Sequence, residues 1–205
     1  RSDTYKTIAD AKSYGVAVKM ITGDHLLIAK ETARRLDMGD EILSSNGLPV
    51  LDPITKEKPE RLSEMHGEHI ITADGFAEVY PEHKYLIVEC LREMGYKVGM
   101  TGDGVNDAPA LKAADVGIAV EGSTDAAKAA ADLVLTQPGL STIIHGIVIA
   151  RSTFARIRSF LTYRIAATLQ LLFFFFIAVF LYVPNEYEPS QEVHVHSIPW
   201  PSFFS

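Results

Sequence analysis

Residues 101–109 read TGDGVNDAP. Two carboxylates, Asp103 and Asp107, stand four residues apart, and Gly102 and Gly104 flank the first. The stretch follows a short apolar run, KVGM (97–100). Far upstream a second TGD triplet, Thr22 to Asp24, follows another such run, AVKMI (17–21). Two further apolar runs, VGIAV (116–120) and DLVLT (132–136), come later. Segments of helical period lie before or between them: KTIADAKSY, LLIAKETARRL, KYLIVECLREMG, DAPALKAA and STDAAKAAA. Short apolar strands alternating with amphipathic helices predict an α/β fold with a mostly parallel sheet and helices on both faces. In such sheets ligands gather at the carboxyl ends of the strands, which is where both TGD triplets fall. Residues 40–74 break the rhythm with Gly, Pro and charge, and read as an irregular surface insertion with partial order.

The chemistry follows from the residue types. Gly102 and Gly104 allow a sharp turn and a close approach to a ligand. Asp103 is expected at a strand tip, and Asp107 at the start of the next helix, with Pro109 in its first turn. Two carboxylates held near one point repel unless a cation joins them, and Mg²⁺ takes such oxygen ligands along with waters and phosphate oxygens. Thr22 offers a hydroxyl and nearby N–H groups to a phosphoryl oxygen, and Lys84 offers positive charge to the same group. Other readings stand beside these. TGD occurs in many turns, and Asp24 can simply cap the helix after it. GDGVND can be read as a calcium loop, but the later glutamate of that motif is absent. A lone Lys84 is ordinarily a solvated side chain. His25, His83 and His145 lack metal-ligand spacing and suit surface or capping work. VHVH (193–196) reads either as a metal pair or as an exposed tail.

Composition narrows the class. The net charge of −7, without a basic tract, argues against nucleic acid as a partner. The single cysteine, Cys90, excludes an internal disulfide and falls on a helical stretch, where a buried small side chain is expected. No signal-peptide pattern opens the chain. Residues 165–183 carry no charge and include Phe173 to Phe176 in a row. At 1.5 Å per residue that run spans about 28 Å, close to the hydrocarbon thickness of a bilayer. Arg151, Arg156, Arg158 and Arg164 precede it and predict a cytoplasmic side before the span. Arg164 at the mouth of the run has three open readings: a snorkelling flank residue, a partner for a carboxylate on another helix, or a guard near an ion path. The ending PWPSFFS looks like the entry to a further membrane helix, so the chain is expected to be part of a longer protein.

TGDGVNDAPALKAADVGIAV resembles the hinge signature of P-type ATPases. VKMITGDHLLIAKETARRL resembles the TGD segment before it, and ADGFAEVYPEHKYLIVE resembles the lysine-bearing segment. ADGFAEVYPEHK, VEGSTDAAKAAADLVLTQPGLSTII and the run into TYRI look like the plasma-membrane proton pumps of plants, fungi and protists. The resemblance implies a haloacid-dehalogenase-like sheet continuing through a stalk helix into one transmembrane helix. The implied domains are residues 1–139 as part of the phosphorylation domain, with the insertion at about 40–74. Residues 140–158 would form the stalk, 159–183 the fifth membrane helix, and 184–205 a loop. It implies Asp103 and Asp107 as the metal-binding pair, Thr22 and Gly23 as phosphoryl contacts, and Lys84 as the stabiliser of phosphoryl charge. Arg1, Asp24 and Asn106 join them as expected contacts to ATP and its Mg²⁺.

By the same resemblance the whole protein would hydrolyse ATP through an aspartyl-phosphate and export H⁺ across a plasma membrane, with residues 1–158 cytoplasmic. Its expected partners are ATP, H⁺, the lipid bilayer and the remaining domains of the pump. The family's phosphorylated aspartate stands in DKTGT, and that string does not occur in these 205 residues. The chain by itself is therefore expected to be inactive. Two alternatives remain: a P-type pump for another cation, and a membrane-anchored phosphatase of the dehalogenase type.

Overall fold

The computed structural model describes residues 3–52, 55 and 57–181. It divides into two compact units, Arg1–Arg151 and Ser152–Ser205. Seven α-helices and six strands order the described residues: α1 (Thr4–Ser13), β1 (Met20–Ile21), α2 (Leu26–Arg35), β2 (Ile42–Ser44), α3 (Leu62–Thr72), β3 (Gly75–Ala77), α4 (Pro81–Glu93), β4 (Gly99–Gly102), α5 (Ala108–Ala113), β5 (Val116–Ala119), α6 (Asp125–Ala130), β6 (Leu133–Val134) and α7 (Ser141–Leu181). A 3₁₀ turn, Val105–Asp107, precedes α5.

All described strand pairs are parallel. The strands form two three-stranded sheets, ordered β1-β3-β2 and β4-β5-β6, where the sequence reading expected one. Apolar runs mark β1, β4, β5 and β6 as extended, but not β2 or β3, nor which edges pair. Successive side chains on a strand point to opposite faces, and β3 uses both. Phe76 packs with Leu62, Ile70, Leu86, Ile87 and Cys90 on one face. Ala77 packs with Ile8, Ala29, Ala33 and Ile42 on the other. Helices α3 and α4 therefore cover one face of the first sheet, and α1 and α2 the other.

Helix α4 joins the two sheets. Its buried residues His83, Leu86, Ile87 and Cys90 recur at the three- and four-residue steps of one helix face. Leu86, Ile87 and Cys90 belong to the core of the first sheet. Val88 turns instead to Met100, Ala110, Leu111 and Ala127 of the second. Cys90 is fully buried, as expected, and burial pushes its thiol pKa up to about 11.

The segment 40–74, expected as an irregular surface insertion, instead builds part of the core. It supplies β2, which pairs with β3 over Ile42 to Ser44, and α3, whose Leu62 and Ile70 are completely buried. Its Gly, Pro and charge lie around these elements and mask them. Helix α7 has 41 residues, is apolar enough to cross a membrane, and has a mean hydropathy of 2.2 over its most apolar stretch. In α7, the Arg164 guanidinium lies 5.8 Å from the Phe160 ring, one turn nearer the helix start. Residues 184–205, with the VHVH pair, lie outside the described residues, as does Arg1.

Candidate functional site

The loop after β4 is built around Asp107. Gly102 leaves room for it: a Cβ there would stand 2.5 Å from the Cβ of Asp107. The backbone enters the 3₁₀ turn, and α5 follows with Pro109 in its first turn. The Asp107 side chain does not cap α5. It turns back, and its Oδ2 accepts hydrogen bonds from the backbone N–H of Asp103 (3.1 Å) and of Gly104 (3.2 Å). Its Oδ1 accepts from the Lys84 ammonium at 2.7 Å. The pair is largely enclosed, with side-chain exposures of 17% for Lys84 and 8% for Asp107. Burial alone would raise the Asp107 pKa. The Lys84 hydrogen bond and charge, with the two backbone donors, outweigh it and hold the carboxyl below its usual range.

Lys84 reaches this loop because of how α4 begins. Tyr80 is the N-cap and Pro81 opens the helix. The Tyr80 N–H donates to Nδ1 of the buried His83 at 3.3 Å. That bond assigns the proton of a neutral imidazole to Nε2, and burial lowers the His83 pKa, which favours the neutral ring. Lys84 follows in the first turn of α4, and the 3₁₀ turn packs against that helix.

Asp103 is different in kind. It is exposed, and among the described residues its carboxylate has no hydrogen-bond partner. Only its backbone is held: its N–H donates to Asp107, and its carbonyl accepts from the Thr124 N–H at 2.9 Å. Asn106 is also exposed and its side chain unpaired among the described residues.

The TGD at the end of β1 forms a second cluster. The Thr22 hydroxyl donates to Asp24 Oδ2 at 2.9 Å, and its oxygen accepts the Asp24 N–H at 3.1 Å. The capping alternative for Asp24 is overturned: the N-cap of α2 is His25, whose Nδ1 accepts from the Leu27 N–H. The loop after β3 runs alongside. The Glu78 N–H donates to the Asp24 carbonyl at 2.9 Å, and the Val79 N–H to the Thr22 carbonyl at 3.2 Å. Glu78 holds φ 58°, a left-handed conformation that a non-glycine residue adopts at a cost. Two residues on, the same loop becomes the start of α4 that carries Lys84. Glu78 and Thr124 were not found from the sequence. Their links to the site loops run through backbone groups, which leave no signature in residue type. Their side chains serve the starts of helices: the Glu78 carboxylate accepts the Leu26 N–H at 3.4 Å, and the Thr124 hydroxyl accepts the Ala127 N–H at 3.4 Å.

Of the eight expected site residues, Lys84 and Asp107 are in direct contact, and Asp103 shares their loop. Thr22, Gly23 and Asp24 sit at the β1 tip, against the loop that leads to Lys84. One free carboxylate beside one anchored carboxylate is an oxygen donor set that suits a hard divalent cation, with water and phosphate oxygens completing the shell. Among the described residues no third Asp, Glu, His or Cys joins them.

The family profile of haloacid dehalogenase-like hydrolases matches residues 1–115, and a second profile of the same description matches 87–145. The chain belongs to the haloacid dehalogenase-like hydrolase family. Within that family it is similar to the probable proton ATPase 1A of Leishmania donovani, 58% identical over 187 residues, covering 91% of this chain and 19% of that protein. It is also similar to plasma membrane ATPase 1 of Schizosaccharomyces pombe, 49% identical over 91% of this chain and 20% of that protein. A crystal structure of a zinc-transporting PIB-type ATPase in its E2.Pi state superposes with a TM-score of 0.61 at 29% identity, covering 88% of this chain and 23% of that one. These relatives bear out the resemblance to P-type ATPases. The chain spans about a fifth of the length of the curated relatives it matches.

Proposed function

We propose that this chain carries the cation- and phosphoryl-binding part of the phosphorylation domain of a P-type pump, together with its stalk and fifth membrane helix. The whole pump would hydrolyse ATP through an aspartyl-phosphate and export protons across a plasma membrane. The observation that carries this reading is the enclosed Lys84–Asp107 pair beside the unpaired carboxylate of Asp103. A structural ion pair has no need of a second, exposed carboxylate held on the same turn.

Asp103 and Asp107 would hold Mg²⁺, which neutralises charge on the phosphate oxygens when bound. Asp107 has both oxygens engaged by donors, so its position is set before any ligand arrives. Asp103 is the carboxylate free to bind directly. Lys84 places a fixed positive charge next to the same turn, where it would stabilise charge that builds during phosphoryl transfer. The Thr22 hydroxyl rests on Asp24 and must rotate to donate to a phosphoryl oxygen. Gly23 is exposed beside it and offers its backbone without a side chain in the way. Asn106 and Arg1 are proposed contacts to the nucleotide side. The nucleophilic aspartate would come from a DKTGT segment outside this chain. Proton export, rather than export of another cation, is supported by the relatives named as proton and plasma membrane ATPases.

The test uses the full-length pump. Asp103→Asn is expected to lower phosphoenzyme formed from ATP by at least tenfold, because the directly binding carboxylate is lost. Asp107→Asn is expected to do less, since the amide oxygen still accepts from one or two of the same donors. Phosphoenzyme levels across a range of Mg²⁺ concentrations distinguish the two. Normal level and normal metal dependence in Asp103→Asn would refute the assignment.

A further inference from the structure

The root of α7 is fastened from a distance. The first N–H groups of a helix have no partner within it and are met by a capping side chain or by water. The first turn of α7 contains no acidic residue. The entry to α7 is met instead by Asp3, 137 residues before Leu140: its Oδ2 accepts from the N–H of Leu140, the residue before the helix, at 2.7 Å and from that of Ser141, its first residue, at 3.0 Å. The Asp3 backbone is pinned in turn to α1. Its carbonyl accepts both the Thr7 N–H and the Thr7 hydroxyl at 2.9 Å. Gly139 makes the approach possible: it holds φ 100°, and a Cβ there would lie 2.3 Å from Asp3 Oδ2. The other end of α1 is tied as well. The Arg151 guanidinium donates to the Tyr14 carbonyl at 2.8 Å, one residue beyond the end of α1. Two contacts therefore bracket α1 against residues 140–151. The hydrogen bonds from Ser141 and Leu140 hold the Asp3 carboxyl below its usual pKa, so it is ionised at neutral pH and complements the positive end of the helix.

We propose that Asp3 is a positioning residue for coupling: with Gly139 and Arg151 it locks α1 to the root of α7, so that movement of the β1-side loops is delivered to the helix that continues into the apolar run. This rests on the reading of the chain as part of a P-type pump. Asp3 lies outside the phosphoryl-binding cluster, so its loss would leave phosphorylation intact and uncouple it from transport. A residue that served only to stabilise the domain would lower both together.

Two measurements test it. The first is amide exchange in this chain in detergent. Asp3→Ala is expected to speed exchange at Leu140 and Ser141 by about fivefold, the usual effect of losing a cap, with amides of the loop after β4 unchanged. Asp3→Asn keeps an acceptor oxygen and is expected to stay near wild type. Unchanged exchange in Asp3→Ala would remove the clamp itself. The second measurement uses the complete pump in vesicles. Asp3→Ala is expected to form phosphoenzyme from ATP within twofold of wild type, while protons moved per ATP fall at least threefold. If Asp3→Ala does not fold, Asp3→Ser, with a shorter capping arm, is held to the same ratio. A normal ratio in a variant with faster exchange, or a ratio that falls only in step with phosphorylation, would overturn the coupling role. Should the wild-type pump form no phosphoenzyme, the functional reading fails, and the exchange experiment still decides the clamp.

Discussion

Lys84 and Asp107 show how much a single contact can carry. Both are enclosed, and breaking such a pair by removing one partner typically costs about 3–5 kcal/mol, because the other charge is left buried. Asp107 retains two backbone donors when Lys84 is lost, so the lower end of that range is expected. Lys84→Ala in the full pump should slow phosphorylation by about 10²-fold, the usual effect of deleting one such donor. Nucleotide affinity should change far less. Rapid-quench rates beside binding measurements separate the two, and a parallel loss would point to a structural role. The same pair makes a pH prediction. The native pKa of Asp107 is depressed, so its stabilising contribution is complete above its unfolded value of about 3.9 and is lost as pH falls through the lower native value. In Lys84→Ala the depression shrinks. The stability difference between wild type and variant should therefore narrow as pH falls from about 5 towards 2, measured by denaturant unfolding at each pH. A difference that holds constant across that window would show that Lys84 does not set the Asp107 pKa.

At the level of elements, α3 is the informative case. The stretch SSNGLPVLDPITKEKPERLSEMHGEH looks like surface to a reader of composition. Its helix nevertheless lays Leu62 and Ile70 against Phe76 and Leu86 in the main core. Ile70→Ala is expected to destabilise by about 2–5 kcal/mol, the range for a fully buried aliphatic side chain. A true surface insertion would give less than about 0.5 kcal/mol. Urea unfolding of the chain in detergent, followed by near-ultraviolet circular dichroism, distinguishes the outcomes. β2 and β3 escaped notice for a related reason: three residues each are too few to display an alternating pattern, and their identity comes from pairing, β2 with β3 and β3 with β1. The helices α1, α2, α4, α5 and α6 were legible. Each combines an apolar period with the punctuation expected at its ends, such as Pro81 and Pro109. The strand tips were legible too, because TGD follows an apolar run in both places.

The whole chain brings both sheets and the root of a long apolar helix into one sequence, but it contains no DKTGT nucleophile. Purified in detergent with Mg²⁺ and ATP, it is expected to release no phosphate above background. Turnover that depends on Mg²⁺ and survives stringent purification would sink that expectation. Alternation of apolar runs with amphipathic segments determined the α/β class. Unbroken apolar length determined the candidate membrane span, and residue types at the strand tips determined the chemistry on offer. These are local properties, set by side-chain type and spacing. Tertiary structure alone decided which distant groups meet: Lys84 with Asp107, the Val79 N–H with the Thr22 carbonyl, and Asp3 with Ser141 at the start of α7. It also decided that Asp107 is the anchored carboxylate and Asp103 the free one. That division depends on where backbone donors point once the chain has turned through Gly102, and donor direction is a property of the fold rather than of any residue's identity.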